Sequence, residues 1–144
     1  MNHQAHVIRI ELPSSFELLD LVQLLCDRLS TLAGLDEDTS HWVSVSVRES
    51  VINAIKHGNR EDIHKHVVVE FSLTPTQAPK EFVVQVLDEG KGFDPEEVAD
   101  PLDPANMMKS SGRGIFFMRN FMDDVTIARR PEGGMMVRMS KKLH

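Results

Sequence analysis

Residues 48–59 read Arg-Glu-Ser-Val-Ile-Asn-Ala-Ile-Lys-His-Gly-Asn, and they predict the end of an amphipathic helix. Glu49 and Asn53 are four residues apart, so they share one helix face, one turn from each other. A carboxylate and an amide at this spacing can bind a hard cation or orient a water molecule. A solvated polar face is the alternative. An apolar stripe at helical spacing runs beside the pair: Val43, Val47, Val51 and Ile55.

The segments on either side predict the rest of the fold. Apolar and polar residues alternate in five predicted strands, at 7–11, 66–74, 81–87, 125–130 and 135–143. Helices are predicted from the Ser-x-x-Glu capping box at 14–17 to Gly34, from about 38 to 57 with Gly58-Asn59 as the stop, and from about 114 to 122. Hairpins dominate this order of elements. The sequence therefore predicts a two-layer α/β (α+β) sandwich, with a mixed, largely antiparallel sheet covered by helices on one face.

Composition limits the class of protein. A chain of 144 residues with 41% hydrophobic residues fits a single domain, 1–144, with its own core. Cys26 is the one cysteine, which excludes an intramolecular disulfide. No apolar run approaches the roughly 20 residues that span a bilayer, so we expect a cytoplasmic protein without membrane contacts. The net charge of −6 argues against direct nucleic-acid binding.

A second group of candidate residues follows the strand at 81–87. Residues 87–95 read Leu-Asp-Glu-Gly-Lys-Gly-Phe-Asp-Pro, which places Asp88 at the strand end. Gly90 and Gly92 let the backbone come close to a ligand. The carboxylate can accept hydrogen bonds from an exocyclic amine such as that of adenine. An ordinary glycine-rich turn is the alternative.

A third group lies at residues 110–118, Ser-Ser-Gly-Arg-Gly-Ile-Phe-Phe-Met. Gly112-x-Gly114 is predicted to open a helix, whose free amides and positive dipole end form an anion site. Arg113 adds a charge; a helix cap with a surface arginine is the alternative. P-loop, protein-kinase and Cys-x-x-Cys signatures are absent. The pair His64-x-His66 has no evident third ligand, so no metal site is predicted there.

Taken in order, the three groups resemble the N-box and the two glycine boxes of the GHKL ATPase superfamily, which has the histidine-kinase-like (Bergerat) ATP-binding fold. The resemblance covers roughly residues 8–143. It implies an N-box at 48–59, a first glycine box at 88–95, an ATP lid at about 95–111 and a second glycine box at 112–122. Within the superfamily, residues 49–58, 112–119 and 121–125 resemble the anti-sigma-factor serine/threonine kinases of bacterial partner-switching systems.

The resemblance also implies roles for single residues. Glu49 would be the catalytic general base for an incoming serine hydroxyl. Asn53 would ligate the Mg²⁺ that bridges the ATP phosphates, and Asp88 would hold the adenine amine. The other nucleotide-binding positions would be Lys56, Gly90, Gly92, Phe93, Gly112, Arg113, Gly114 and Ile115.

The cofactors implied are ATP and Mg²⁺. The partners implied are a STAS-domain anti-sigma antagonist that receives the phosphoryl group, a sigma factor that is sequestered, and a second copy in a homodimer. In one departure from the family, Met135 follows Gly133-Gly134 where relatives often carry threonine, so a hydroxyl is missing. The alternative function is therefore a nucleotide-dependent anti-sigma binding module with little or no kinase activity. Four acids of the lid are expected to face solvent or a basic partner: Glu96, Glu97, Asp100 and Asp103.

Overall fold

The computed structural model describes residues 6–74, 79–90 and 110–143. Three α-helices lie in these ranges: α1 (Leu19–Leu32), α2 (Glu37–Asn53) and α3 (Ser110–Phe121). A 3₁₀ turn (Phe16–Leu18) precedes α1, and a π-helical turn (Ala54–Gly58) extends α2. The five strands are β1 (His6–Pro13), β2 (His66–Thr74), β3 (Glu81–Leu87), β4 (Asp124–Arg129) and β5 (Met135–Lys142).

The strands form one sheet in the order β1-β2-β3-β5-β4, and each neighbouring pair is antiparallel. Because side chains alternate across a strand, the register separates a polar row from an apolar row. One polar row crosses the sheet through Arg9, Glu70, Gln85, Arg138 and Thr126. The next row, on the opposite face, is apolar and consists of Ile10, Val69, Val86, Val137 and Ile127.

The three helices cover the apolar face of the sheet and bury a single core cluster with it. Helix α2 supplies the predicted stripe, which is almost wholly buried: Val43, Val47, Val51 and, in the π-helical turn, Ile55. Cys26 of α1 is also in this core, and burial raises the pKa of its thiol to about 12. The predicted two-layer α+β architecture is therefore confirmed. Within the described part of the chain, no helix is long and apolar enough to cross a membrane.

Two helix starts differ from the predictions. Ser15, not Ser14, caps the first helical segment, and its Oγ accepts the Glu17 amide at 3.3 Å. Ser14 is buried instead, and its hydroxyl donates to the Lys65 carbonyl at 2.7 Å. The chain turns directly after β1, so Ser14 is drawn toward the start of β2.

Helix α3 begins at Ser110, four residues before its predicted start. Gly112 therefore lies inside the first turn instead of preceding the helix. The first four amides of a helix have no intrahelical partner. For this reason Gly112 and Arg113 still belong to the amino-terminal end that attracts anions.

Candidate functional site

A pocket lies between the two layers of the fold, where α2 and α3 face the sheet. Its polar lining comes from Ser50, Asn53 and Asp88. Apolar side chains of the helices and strands form the remaining walls: Ala54, Val86, Ile115, Met118, Ile127, Met135 and Val137. A mostly apolar pocket with a few placed polar groups is typical of a small-molecule site.

Asp88 is the buried polar group at the sheet end of this pocket. It follows β3, and only 4% of its surface is exposed. Its Oδ1 accepts the backbone amides of Gly90 (3.0 Å) and Met135 (3.1 Å). Burial raises the pKa of the carboxyl group above its usual value, although these hydrogen bonds and the Arg130 charge act in the opposite direction. Among the described residues, no hydrogen bond occupies Oδ2, so this oxygen can accept one from a ligand.

Two glycines allow the end of the α2 region to touch the end of β3. Gly58 lies against the Asp88 carboxylate, and a Cβ atom at Gly58 would overlap it. Gly90 lies against the carbonyl oxygen of Gly58, where a Cβ would overlap backbone atoms. The sequence pattern singled out Gly90 as room for a ligand. The structure adds a packing reason, since only glycine fits where these two backbones meet.

Glu49 and Asn53 lie at the helical end of the site, under the first turns of α3. A Cβ atom built on Gly114 would be 2.8 Å from Asn53 Nδ2 and 3.5 Å from Glu49 Oε2. Both polar side chains are half-buried. The arrangement places a carboxylate and an amide beside the positive end of a helix, which is suited to a cation bound together with an anionic group.

The remaining predicted site residues fall into four groups. Ile115 is buried in the pocket wall beside Gly114. Lys56 is exposed in the π-helical turn and does not line this pocket. Gly112 and Arg113 lie in the first turn of α3. Gly92, Phe93 and residues 95–109 of the lid predicted at about 95–111, including its four acids, lie outside the described residues. Residues 110 and 111 of the predicted lid belong to α3 instead.

Asn59 is a buried residue that supports the site and that the sequence marked only as a helix stop. Its exposed fraction is 1%. Its Nδ2 donates to Ser14 Oγ (2.8 Å) and to the His66 carbonyl (2.9 Å), and its Oδ1 accepts the Glu89 amide at 2.8 Å. One amide side chain thus ties the end of the α2 region to the loop that carries Asp88. No local pattern distinguishes such an asparagine from a helix cap.

Arg130 is a second supporting residue without a sequence signal. Its guanidinium donates to the backbone carbonyl of Asp88 at 2.7 Å, across the β4–β5 turn. The Asp88 amide in turn donates to the Met135 carbonyl at 3.0 Å. These contacts fix the backbone of Asp88. The orientation of its carboxylate is set by the hydrogen bonds from the Gly90 and Met135 amides.

Replacement of Asn59 by alanine is expected to lower the free energy of unfolding by about 3 kcal/mol, because three hydrogen bonds are lost and buried groups are left unpaired. Urea denaturation followed by circular dichroism measures the change. Asn120→Ala is the matched control, since Asn120 is exposed and its side chain donates one hydrogen bond within the described part of the chain, to the Phe116 carbonyl (3.1 Å). It should change the same quantity by less than about 0.5 kcal/mol. Equal effects of the two substitutions would contradict the supporting role of Asn59.

A separate polar cluster lies beside the Asn59 contacts. The side chains of Glu11, His66 and Glu89 are exposed. The nitrogen and oxygen atoms with which they could bind a metal ion all lie within 4.8 Å of one another. His66 Nδ1 is 3.6 Å from Glu11 Oε1, and the His66 amide donates to Glu89 Oε2 at 3.0 Å. The sequence pairing of His66 with His64 missed these carboxylates, because they come from β1 and from the loop after β3.

Comparison with known proteins is consistent with this geometry. The family model described as histidine kinase-like ATPase domain matches residues 12–141. The serine-protein kinase RsbW of Staphylococcus aureus, and the same protein of strain JH9, are each 24% identical over 148 aligned positions, which cover 98% of this chain and 89% of theirs.

The solved structure of the RsbU and RsbW domains of a Mycobacterium tuberculosis protein superposes with a TM-score of 0.66 at 16% identity. The match covers 96% of this chain and 32% of the other, so this chain spans about a third of that longer protein. This likeness concerns the fold, whereas the family model matches most of the sequence. The chain belongs to the family of histidine kinase-like ATPase domains.

Proposed function

We propose that this protein is an ATP-dependent serine/threonine protein kinase that also acts as an anti-sigma factor. One observation carries the proposal: the buried Asp88 carboxylate and Asn53 line a single pocket, and Glu49 lies beside Asn53, outside that lining, next to Gly114 of α3. The family of ATPase domains and the relatives named serine-protein kinase support the same interpretation.

The pocket residues fit an adenine nucleotide. Asp88 Oδ1 is already held by two backbone amides, which leaves Oδ2 to accept a hydrogen bond from the exocyclic amine of adenine. Val86, Ile115, Met118 and Ile127 offer apolar contacts to the ring. The amino terminus of α3 attracts phosphate groups. Asn53 offers an amide oxygen, a ligand type suited to Mg²⁺.

Each residue then has a role in phosphoryl transfer. When bound, MgATP supplies the phosphoryl group and the positive charge that offsets its negative charge. Glu49 accepts the proton of the incoming serine or threonine hydroxyl, or orients that hydroxyl for attack. Asn53 would hold the metal, and the amides and dipole of α3 would hold the phosphates. Positioning and electrostatic stabilisation provide most of the catalysis in this class of reaction.

The partners follow from the kinase assignment. The acceptor would be a serine or threonine of a STAS-domain anti-sigma antagonist, and the sequestered protein would be a sigma factor, which places the activity in the cytoplasm. Homodimerisation is part of the proposal. The Met135 side chain lines the pocket where relatives often carry threonine. This difference favours, as the second candidate, a nucleotide-dependent binding module with little phosphoryl transfer.

A pull-down from the source cell, performed with MgATP, with MgADP and without nucleotide, tests the proposal. We expect capture of a sigma factor and of an antagonist, and mass spectrometry should find one new phosphoserine or phosphothreonine on the antagonist with MgATP only. Size-exclusion chromatography with light scattering of the purified chain should give a dimer.

The outcomes separate the two candidate functions. Nucleotide-dependent capture without any phosphorylated residue would support the binding module and reject the kinase. Capture that is indifferent to nucleotide would contradict the binding module, and if no residue of the captured protein is phosphorylated it would contradict both candidates. A phosphorylated histidine on the captured protein would instead indicate transfer of the histidine-kinase type.

A further inference from the structure

Ser50 of α2 carries a buried hydroxyl group. Its exposed fraction is 1%, and its Oγ has no partner among the described residues. Serine in a helix commonly donates to the carbonyl four residues earlier. Ser46, one turn before it in α2, does so, and its Oγ is 2.9 Å from the Trp42 carbonyl oxygen. A buried hydroxyl without a partner is costly, so its presence requires an explanation.

The place of Ser50 in the fold suggests that explanation. Ser50 lines the same pocket as Asp88 and Asn53, and the other seven lining side chains are apolar. Asn53 lies beside Gly114 of α3, where the phosphates and the metal are proposed to bind. The other two polar side chains of the pocket, Asp88 and Ser50, can therefore contact the base of the nucleotide. On the β5 side of the pocket, the wall formed by the described residues includes the Met135 side chain and contains no hydroxyl group that could bond a ligand.

We propose that Ser50 Oγ hydrogen-bonds the purine ring of the bound nucleotide and is a second polar contact beside Asp88. This inference rests on the proposed nucleotide site. Adenine carries an amine that donates a hydrogen bond and, next to it, a ring nitrogen that accepts one. The Asp88 carboxylate can accept from the amine, and the Ser50 hydroxyl can donate to the ring nitrogen. Guanine presents an oxygen acceptor and an N–H donor in these positions. A hydroxyl can donate or accept, so the acceptor-only carboxylate of Asp88, and not Ser50, would favour adenine over guanine.

The test compares Ser50→Ala with the unsubstituted chain in two measurements. Isothermal titration with MgADP should give an affinity about three- to tenfold weaker, the usual effect of one lost hydrogen bond. The Tm without nucleotide should rise or stay the same, because an unpaired buried hydroxyl is removed. A purely structural serine would give the opposite pair of results.

Ser40→Ala is the matched control. Ser40 lies in the same helix, is also buried, and its Oγ also lacks a partner among the described residues, but it does not line the nucleotide pocket. It should therefore leave MgADP affinity unchanged. If Ser50→Ala fails to fold, Ser50→Cys replaces it, because the thiol keeps the shape and is a weak donor; it should weaken MgADP binding in the same direction.

Unchanged MgADP affinity in the folded Ser50 variant would overturn the inference while leaving the proposed function intact, provided that the unsubstituted chain binds MgADP. Loss of affinity together with a lower Tm without nucleotide would also overturn it, as would an equal loss in Ser40→Ala. If the unsubstituted chain does not bind MgADP, the proposed function and this inference fail together.

Discussion

Glu49→Gln is expected to reduce the rate of phosphoryl transfer to the antagonist by about 10²- to 10⁴-fold, the range for loss of a general base. Glutamine keeps the size of the side chain and its contact with Gly114, but the amide cannot take a proton from the serine hydroxyl. MgADP affinity should change by less than about twofold, because Glu49 does not line the pocket that is proposed to bind the purine. Single-turnover transfer of labelled phosphate, with binding measured in parallel, separates the two quantities.

Glu37→Gln is the control for the change of charge, since Glu37 lies in the first turn of the same helix, far along the chain from the site. We expect normal transfer from that variant. A Glu49→Gln protein that transfers phosphate at the normal rate would remove the general base from the mechanism. A protein that loses MgADP binding as well would instead assign Glu49 to nucleotide or metal binding.

Asp88→Asn is expected to weaken MgADP binding by about 100- to 1,000-fold, the sum of a lost charged hydrogen bond and an unpaired buried group. The oxygen of the substituted side chain can still accept the amides of Gly90 and Met135, which leaves its NH₂ group in the position of Oδ2. The adenine amine would then meet a donor instead of an acceptor, and both groups would be buried without a partner. Isothermal titration with MgADP measures the effect.

The same substitution should also change how stability depends on pH. Burial raises the pKa of Asp88 in the folded protein, so the folded state favours the protonated form. The stability from this group is fully present below the unfolded pKa and is lost as the pH rises through the higher folded pKa. Asp88→Asn, which is always neutral, should lack this loss and be at least as stable as the unsubstituted chain at neutral pH in urea denaturation.

Nucleotide binding should have the opposite dependence on pH, because the ionised carboxylate is the better acceptor. MgADP affinity of the unsubstituted chain should fall as the pH drops through the raised pKa of Asp88, above the range in which an exposed aspartate titrates. Asp123→Asn changes a carboxylate that contacts Lys141 and the Lys142 amide, outside the pocket, and should retain MgADP affinity. Full affinity of Asp88→Asn would exclude Asp88 from adenine recognition.

Most of the fold could be predicted from local patterns. The strand bounds 66–74 and 81–87 agree with the structure, because alternation of apolar and polar residues is strong there and each strand has one buried face. The stripe from Val43 to Val51 is buried as its spacing predicted. Helix starts were less predictable. Ser14 and Ser15 are both residue types that cap helices. In the structure Ser15 caps the helical segment, because Ser14 is buried and donates its hydrogen bond to the Lys65 carbonyl.

The candidate site was partly predictable for the same reason. Glu49 and Asn53 share a face by helical spacing, and Asp88 ends a strand, so their positions follow from short segments. Their proximity to one another, and to Gly114, depends on how α2 and α3 pack on the sheet. For four residues, no local pattern predicted the distant contacts that make them important: Asn59, Arg130, Gly58 and Ser50.

The linear sequence was sufficient for the class of fold and for the three groups of polar residues, because periodicity and spacing act over one strand or one helical turn. It was not sufficient to distinguish a helix-stop asparagine from the residue that holds the Asp88 loop, or a helix serine from an unpaired hydroxyl in a pocket. Those distinctions depend on which groups lose their water when the layers meet. Burial and hydrogen-bond satisfaction are properties of the assembled chain, so the tertiary structure alone assigns them.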